Sequence, residues 1–124
     1  MNHVPQTEAQ FQAAVIELAQ INGWRVFHAR KAQNSKGAWR TPVAADGAGF
    51  PDLVLVKDRV IFAELKTDKG RIRPEQRAWL DAIHAATTGD PPPCDRTIIE
   101  TRVWRPRDWP DILNTLNTRN TTPF

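Results

Sequence analysis

Two apolar runs, DLVLV (52–56) and RVIFAELK (59–66), flank Lys57-Asp58 and read as strands joined by a tight turn. Their near-continuous Val, Ile, Leu and Phe content marks central strands covered on both faces. That requirement restricts the chain to a layered fold with helices packed against a sheet. Yet the same runs carry Asp52, Glu64 and Lys66, and buried charge is costly unless paired or bound to metal. Residues two apart on a strand share a side, so Glu64 and Lys66 project together while Leu65 turns into the opposite layer. A hairpin sets Asp52 level with the end of the second strand, so the three charged groups meet at one end of the sheet. Such an oxygen-rich site suits a hard divalent cation, Mg²⁺ or Mn²⁺, with the Leu65 carbonyl as a further oxygen. An inward salt-bridge cluster without catalysis is the alternative these three residues leave open.

The flanking segments supply the layers. Thr7 to Ile21 reads as a helix: Thr7 with Gln10 fits a capping box, and Phe11, Ala14, Val15, Leu18 and Ala19 recur at helical spacing. Asn22-Gly23 stops it. WRVFHA (24–29) reads as a strand, and the polar, glycine-containing stretch 30–50 as a long loop of the kind that is often functional. Gly47 and Gly49 suit a sharp turn into Pro51-Asp52, or are ordinary loop glycines. Pro74 to about Ala86 reads as a second helix with Pro at its first position. The prolines of TTGDPPPCD (87–95) break the chain. RTIIETRVW (96–104) reads as a further strand, and RDWPDILNTLN (107–117) as a short closing helix with Asp108 as its N-cap. The expectation is an α/β protein with a small mixed sheet flanked by helices, one domain over 1–124 with its core at 7–116 and a polar tail at 117–124.

Composition bounds the setting. The 124 residues are 40% hydrophobic and 25% charged, ordinary for a globular domain, and no apolar run approaches the roughly 20 residues that span a bilayer. A lone cysteine, Cys94, excludes an internal disulfide and a thiolate-built zinc site, and with no signal-like start the expected location is the cytoplasm. The net charge of +3 matters less than its placement. Arg25, Arg30, Lys31, Lys36 and Arg40 fall in a stretch (25–45) without acids, and Lys66, Lys69, Arg71, Arg73 and Arg77 cluster after the hairpin. Such clusters track a phosphate backbone or form a solvated basic surface.

The signature Pro51-Asp52 with Glu64-Leu65-Lys66 resembles that of the PD-(D/E)xK nuclease superfamily, with its restriction-endonuclease-like core. The wider order is similar to its VRR-NUC branch: an N-terminal helix with a glutamate, GFPDLVLV, FAELK, then a helix carrying glutamine. This likeness runs from about Thr7 to His84, more loosely through VWRP and the closing helix. It implies Asp52 and Glu64 as metal-binding carboxylates, Lys66 as the residue that positions the attacking water and steadies charge on the phosphate, and Gln76 as the family's glutamine. Gln76 also shares a helical stripe with Trp79, Leu80 and Ile83 and so faces inward, where it either joins the site or bonds nearby backbone. Glu8 and Glu17 compete for the remaining glutamate position. At about 100° per residue, Glu8 lies roughly 50° from the centre of the apolar face and Glu17 roughly 130°, which favours Glu8 as a metal ligand, directly or through water, with a surface acid placed by the helix dipole as the alternative. Weaker signals are His28, a packed or surface histidine before it is a phosphate contact, and Trp39, which either stacks on a base or anchors the loop to the domain.

What the resemblance implies is a metal-dependent DNA endonuclease, selective for branched or junction DNA and working as a homodimer, with Arg30, Lys31, Lys36, Arg40, Lys69, Arg71 and Arg73 on the nucleic acid. The alternative is a non-catalytic module, or one that needs a helicase or recombination partner. TTGDPPPCDRT stands where a shorter glycine turn is commoner in the family, which bears on the dimer edge and substrate geometry.

Overall fold

A computed structural model describes residues 7–29, 44–88 and 98–117, and the backbone of 32–33 and 39–40. Arg30, Lys31, Lys36, the side chains of Trp39 and Arg40, Cys94 with its proline-rich neighbours, and the tail from 118 lie outside the described residues.

Helix α1 (Glu8–Ile21) begins at Thr7 with the expected capping box: Thr7 Oγ1 accepts from the Gln10 amide at 3.1 Å, and Gln10 Oε1 accepts from the Thr7 amide at 3.0 Å. These bonds satisfy amides that a helix start otherwise leaves orphaned. Strand β1 (Arg25–His28) follows. Two-residue strands β2 (Ala32–Gln33) and β3 (Trp39–Arg40) then pair antiparallel with each other, a correction to the reading of this stretch as loop throughout. Strands β4 (Leu53–Val56) and β5 (Val60–Leu65) form the hairpin, and α2 (Pro74–Thr87) crosses from β5 to β6 (Ile99–Trp104). A 3₁₀ turn (Pro106–Asp108) leads into α3 (Trp109–Asn117).

The main sheet has the order β1-β4-β5-β6, with β1/β4 and β4/β5 antiparallel and β5/β6 parallel. The hairpin strands are thus central and the sheet mixed. Leu53, Leu55, Ile61, Ala63, Leu65 and Trp104 face α1 and α3, where Phe11, Val15, Ala19, Ile112 and Leu116 complete a core excluded from solvent. Burying each large side chain of this kind contributes roughly 1.5–3 kcal/mol.

The rim of that core is tied by polar groups. Trp24 Nε1 donates to the Leu116 carbonyl at 2.8 Å, and Arg59 Nη2 donates to the Thr115 carbonyl at 2.8 Å. Both relieve orphan carbonyls at the end of α3, and the Arg59 guanidinium also stacks 4.9 Å from the Trp24 ring.

The opposite face lies under α2, and its cover is thinner. Val54 and Phe62 are half-buried and Val56 is exposed. Phe50 packs edge-on to both Phe62 and Trp79, and Trp79 Nε1 donates to the Asp46 carbonyl at 2.8 Å. The 44–50 segment is thereby strapped to α2.

One capping assignment differs from expectation. The Asp108 carboxylate turns back to accept from the Arg105 amide at 2.9 Å, capping the 3₁₀ turn and not α3. The preceding proline-fixed turn places that amide within reach of the nearer acid.

Candidate active site

The hairpin register brings the acidic residues together. Leu53 pairs with Ala63, so Asp52, one residue before β4, stands level with Glu64 near the end of β5. Asp52 Oδ2 accepts from the Leu65 amide at 2.8 Å, which fixes the carboxylate against the strand end. On a strand the amide and carbonyl of one residue point the same way, so the Leu65 carbonyl also faces the Asp52 side.

Gly49 sets the approach to Asp52. It holds φ +85°, and a Cβ there would stand 2.6 Å from the carbonyl carbon and oxygen of Glu75 in the first turn of α2. Both the backbone angle and the lack of space require glycine. This contact packs the loop before Pro51-Asp52 directly against the start of α2.

Glu64 is 1% exposed and projects toward α2, away from the apolar core that takes Leu65. Gln76 Nε2 donates to Glu64 Oε1 at 3.3 Å, and Gln76 Oε1 accepts from the Arg73 amide at 2.9 Å. The two alternatives for this glutamine are therefore both realised: it bonds the backbone at the helix start and, through its other end, the buried acid. Glu64 Oε2 is enclosed with no donor among the described residues.

The environment pushes the Glu64 carboxyl up to about 9. Burial is the main cause, since removal from water penalises the charged form. Asp52 raises it further, by a carboxyl–carboxyl contact that is a hydrogen bond only when one acid holds a proton, and by its charge. Lys66 acts in the opposite direction, and Glu8 adds slightly to the rise.

Lys66 is half-buried where the chain leaves β5, and its amide donates to the Trp104 carbonyl at 3.0 Å. Among the described residues its ammonium makes no ion pair within 4 Å. Glu8 is exposed in the first turn of α1 and near enough for its charge to act on Glu64. Among the described residues, no three carboxylate, imidazole or thiol groups form a metal-binding cluster. The structure pairs Asp52 with Glu64 and leaves Glu8 outside such a cluster. Lys69, Arg71 and Arg73 are exposed between β5 and α2, with Arg73 3.3 Å from Glu75. His28 lies opposite Leu53, at the same end of the sheet as Asp52.

The oxygens available to a cation here are the Asp52 and Glu64 carboxylates and the Leu65 carbonyl. Sequence reasoning missed Arg105, whose side chain reaches the turn after Lys66. Its only sequence signal was an arginine directly after the last apolar residue of a strand.

The model of the VRR-NUC domain matches residues 8–88. That is the stretch from α1 through α2 that carries Asp52, Glu64, Lys66 and Gln76, and the chain belongs to the VRR-NUC domain family, a family of nuclease-type, DNA-processing domains. No curated protein and no solved structure matches the chain. No helix among the described residues is long and apolar enough to cross a membrane.

Proposed function

We propose that the chain is a divalent-metal-dependent endonuclease that hydrolyses DNA phosphodiester bonds and selects branched or junction DNA. The observation that carries this reading is the enclosed Glu64 carboxylate beside Asp52, with Oε2 lacking a donor among the described residues and Lys66 two residues on. Two acids that repel each other in a dry setting fit a cation that offsets both charges. Two carboxylates and a carbonyl also suit Mg²⁺ or Mn²⁺, which usually keep several waters and take substrate phosphate oxygens as ligands.

Asp52 and Glu64 would hold the ion, with Glu8 reaching it through water. When bound, it supplies Lewis acidity at the scissile phosphate. Gln76 orients Glu64 through the bond to Oε1. The Lys66 ammonium positions the attacking water and offsets the charge that grows on the phosphate oxygens as the new P–O bond forms and the old one breaks. The cations of the 66–73 stretch, with Arg30, Lys31, Lys36 and Arg40, grip phosphates independently of sequence, so binding falls steeply with salt. Junction selectivity and a homodimer rest on the family resemblance, and the cytoplasm is the proposed location.

The test is cleavage of plasmid, single-strand, flap and four-way-junction DNA with Mg²⁺ or Mn²⁺, with Asp52→Asn alongside. Metal-dependent cutting of the junction that disappears in the variant is expected. Cutting that survives Asp52→Asn would refute the assignment. Junction binding without cutting would point to a helicase or recombination partner as the missing component.

A further inference from the structure

Beyond Lys66 the chain turns at Thr67–Gly70, closed by the Gly70 amide donating to the Thr67 carbonyl at 3.1 Å. That turn and the residues after it carry Lys69, Arg71 and Arg73, all exposed. It is held from outside. Arg105 Nη1 donates to the Thr67 carbonyl at 2.7 Å and to the Gly70 carbonyl at 2.6 Å. The Arg107 amide donates to Asp68 Oδ1 at 3.1 Å, and the Asp108 carboxylate pins the Arg105 amide. The residue before Arg105 is Trp104, whose carbonyl receives the Lys66 amide.

Arg105 is part-buried, and among the described residues it pairs with no carboxylate within 4 Å. Its charge is directed at two backbone carbonyls of one turn. Charge-assisted bonds are stronger than neutral ones, and a turn fixed at both ends loses the backbone freedom that would scatter its side chains. Space is also tight: a Cβ at Gly70 would stand 3.0 Å from Thr67 Oγ1 and 3.5 Å from Lys66 Cδ. The segment 105–108 that supplies these bonds lies beyond the residues matched by the family model, 8–88.

We propose that Arg105 is a positioning residue: by clamping the Thr67–Gly70 turn it aims Lys66 and presents Lys69 and Arg71 to the phosphate backbone. This rests on the nuclease reading above, and its test separates the two. Wild type, Arg105→Ala, Arg105→Lys and the control Arg107→Ala, whose backbone amide persists, are compared by trypsin mapping and DNA kinetics.

Trypsin cutting after Lys69 and Arg71 should quicken about tenfold or more in Arg105→Ala, as local opening of the turn becomes cheap, with little change in the control. In cleavage, KM for DNA should rise about tenfold together with a fall in kcat, because displaced groups weaken both binding and chemistry. Simple loss of folded protein would lower kcat at unchanged KM. Arg105→Lys should fall between, since an ammonium lacks the planar fork, and it carries the test if Arg105→Ala loses its helical circular-dichroism signal. If wild type alone does not cut DNA, the clamp is decided by the trypsin pattern and by the Kd for a labelled duplex in EDTA. Unchanged trypsin rates, with unchanged KM or Kd, would overturn the proposal.

Discussion

The two faces of the central hairpin are built to different ends. Toward α1 and α3, β4 and β5 bury Leu53, Leu55, Ile61, Ala63 and Leu65 at 0% exposure, with apolar partners throughout. Toward α2, the same strands bury Glu64 at 1% exposure, and α2 meets it with Gln76 at 6%. The first face stabilises the fold; the second holds an acid pushed up to about 9, with an oxygen that has no donor among the described residues. A buried charge without full compensation lowers stability, and such arrangements cluster at functional sites. The contrast teaches that the site sits where the layer under α2 departs from the packing rule that the other layer obeys.

Substitutions on each face should sort accordingly. The largest effect belongs to Lys66→Ala, which should lower DNA cleavage on the order of 10²–10³-fold, as loss of one charge-stabilising donor does, with an unfolding midpoint near that of wild type. Normal turnover by this variant would break the contrast at its polar end. Leu55→Ala, on the apolar face, should cost about 2–5 kcal/mol in urea unfolding while the protein that remains folded keeps the KM of the proposed cleavage. A loss well under 1 kcal/mol would mean that this face is not the main source of stability.

How far these residues were legible in the chain depends on distance along it. Alternation along 59–66, with Asp52 at the hairpin's mouth, led directly to the pairing of Asp52 with Glu64. Helical spacing from Gln76 to Ile83 predicted the inward turn of Gln76, and Thr7 with Gln10 predicted the start of α1. These signals are local, set by strand and helix periods. The β2/β3 pair was missed because two-residue strands are too short to show a period. Asp108 was assigned to cap α3 because the intervening 3₁₀ turn, whose start it caps instead, is too short to show a period. Arg105 reaches carbonyls 38 and 35 residues away, and Arg59 reaches Thr115 across 56; no local pattern encodes such contacts.

Gly49 links the two ends of the comparison, since it packs the loop before Asp52 onto α2. Gly49→Ala should cost roughly 1–3 kcal/mol from its positive φ, aggravated by the 2.6 Å approach to Glu75, and should lower cleavage as Asp52 shifts. Unchanged thermal unfolding would show that the loop can move aside.

A further effect is on the pH dependence of stability in metal-free protein. Glu64 has a folded-state value raised from 4.5 to about 9, so its favourable contribution is full below about pH 4.5 and is lost as pH rises toward 9. Glu64→Gln keeps an acceptor for Gln76, gains a donor toward Asp52 and has no proton to lose. Its melting temperature should therefore exceed that of wild type at pH 8, with the gap closing near pH 4. A gap that stays constant across this range would contradict the buried, charge-strained acid.

The most direct measurement of the central claim, that the layer under α2 gives up stability for catalysis, sets wild type and Glu64→Gln side by side in Mn²⁺-dependent plasmid cleavage. The account predicts nicked and linear product from wild type alone, although the variant is the more stable protein. Equal cutting by both would contradict it.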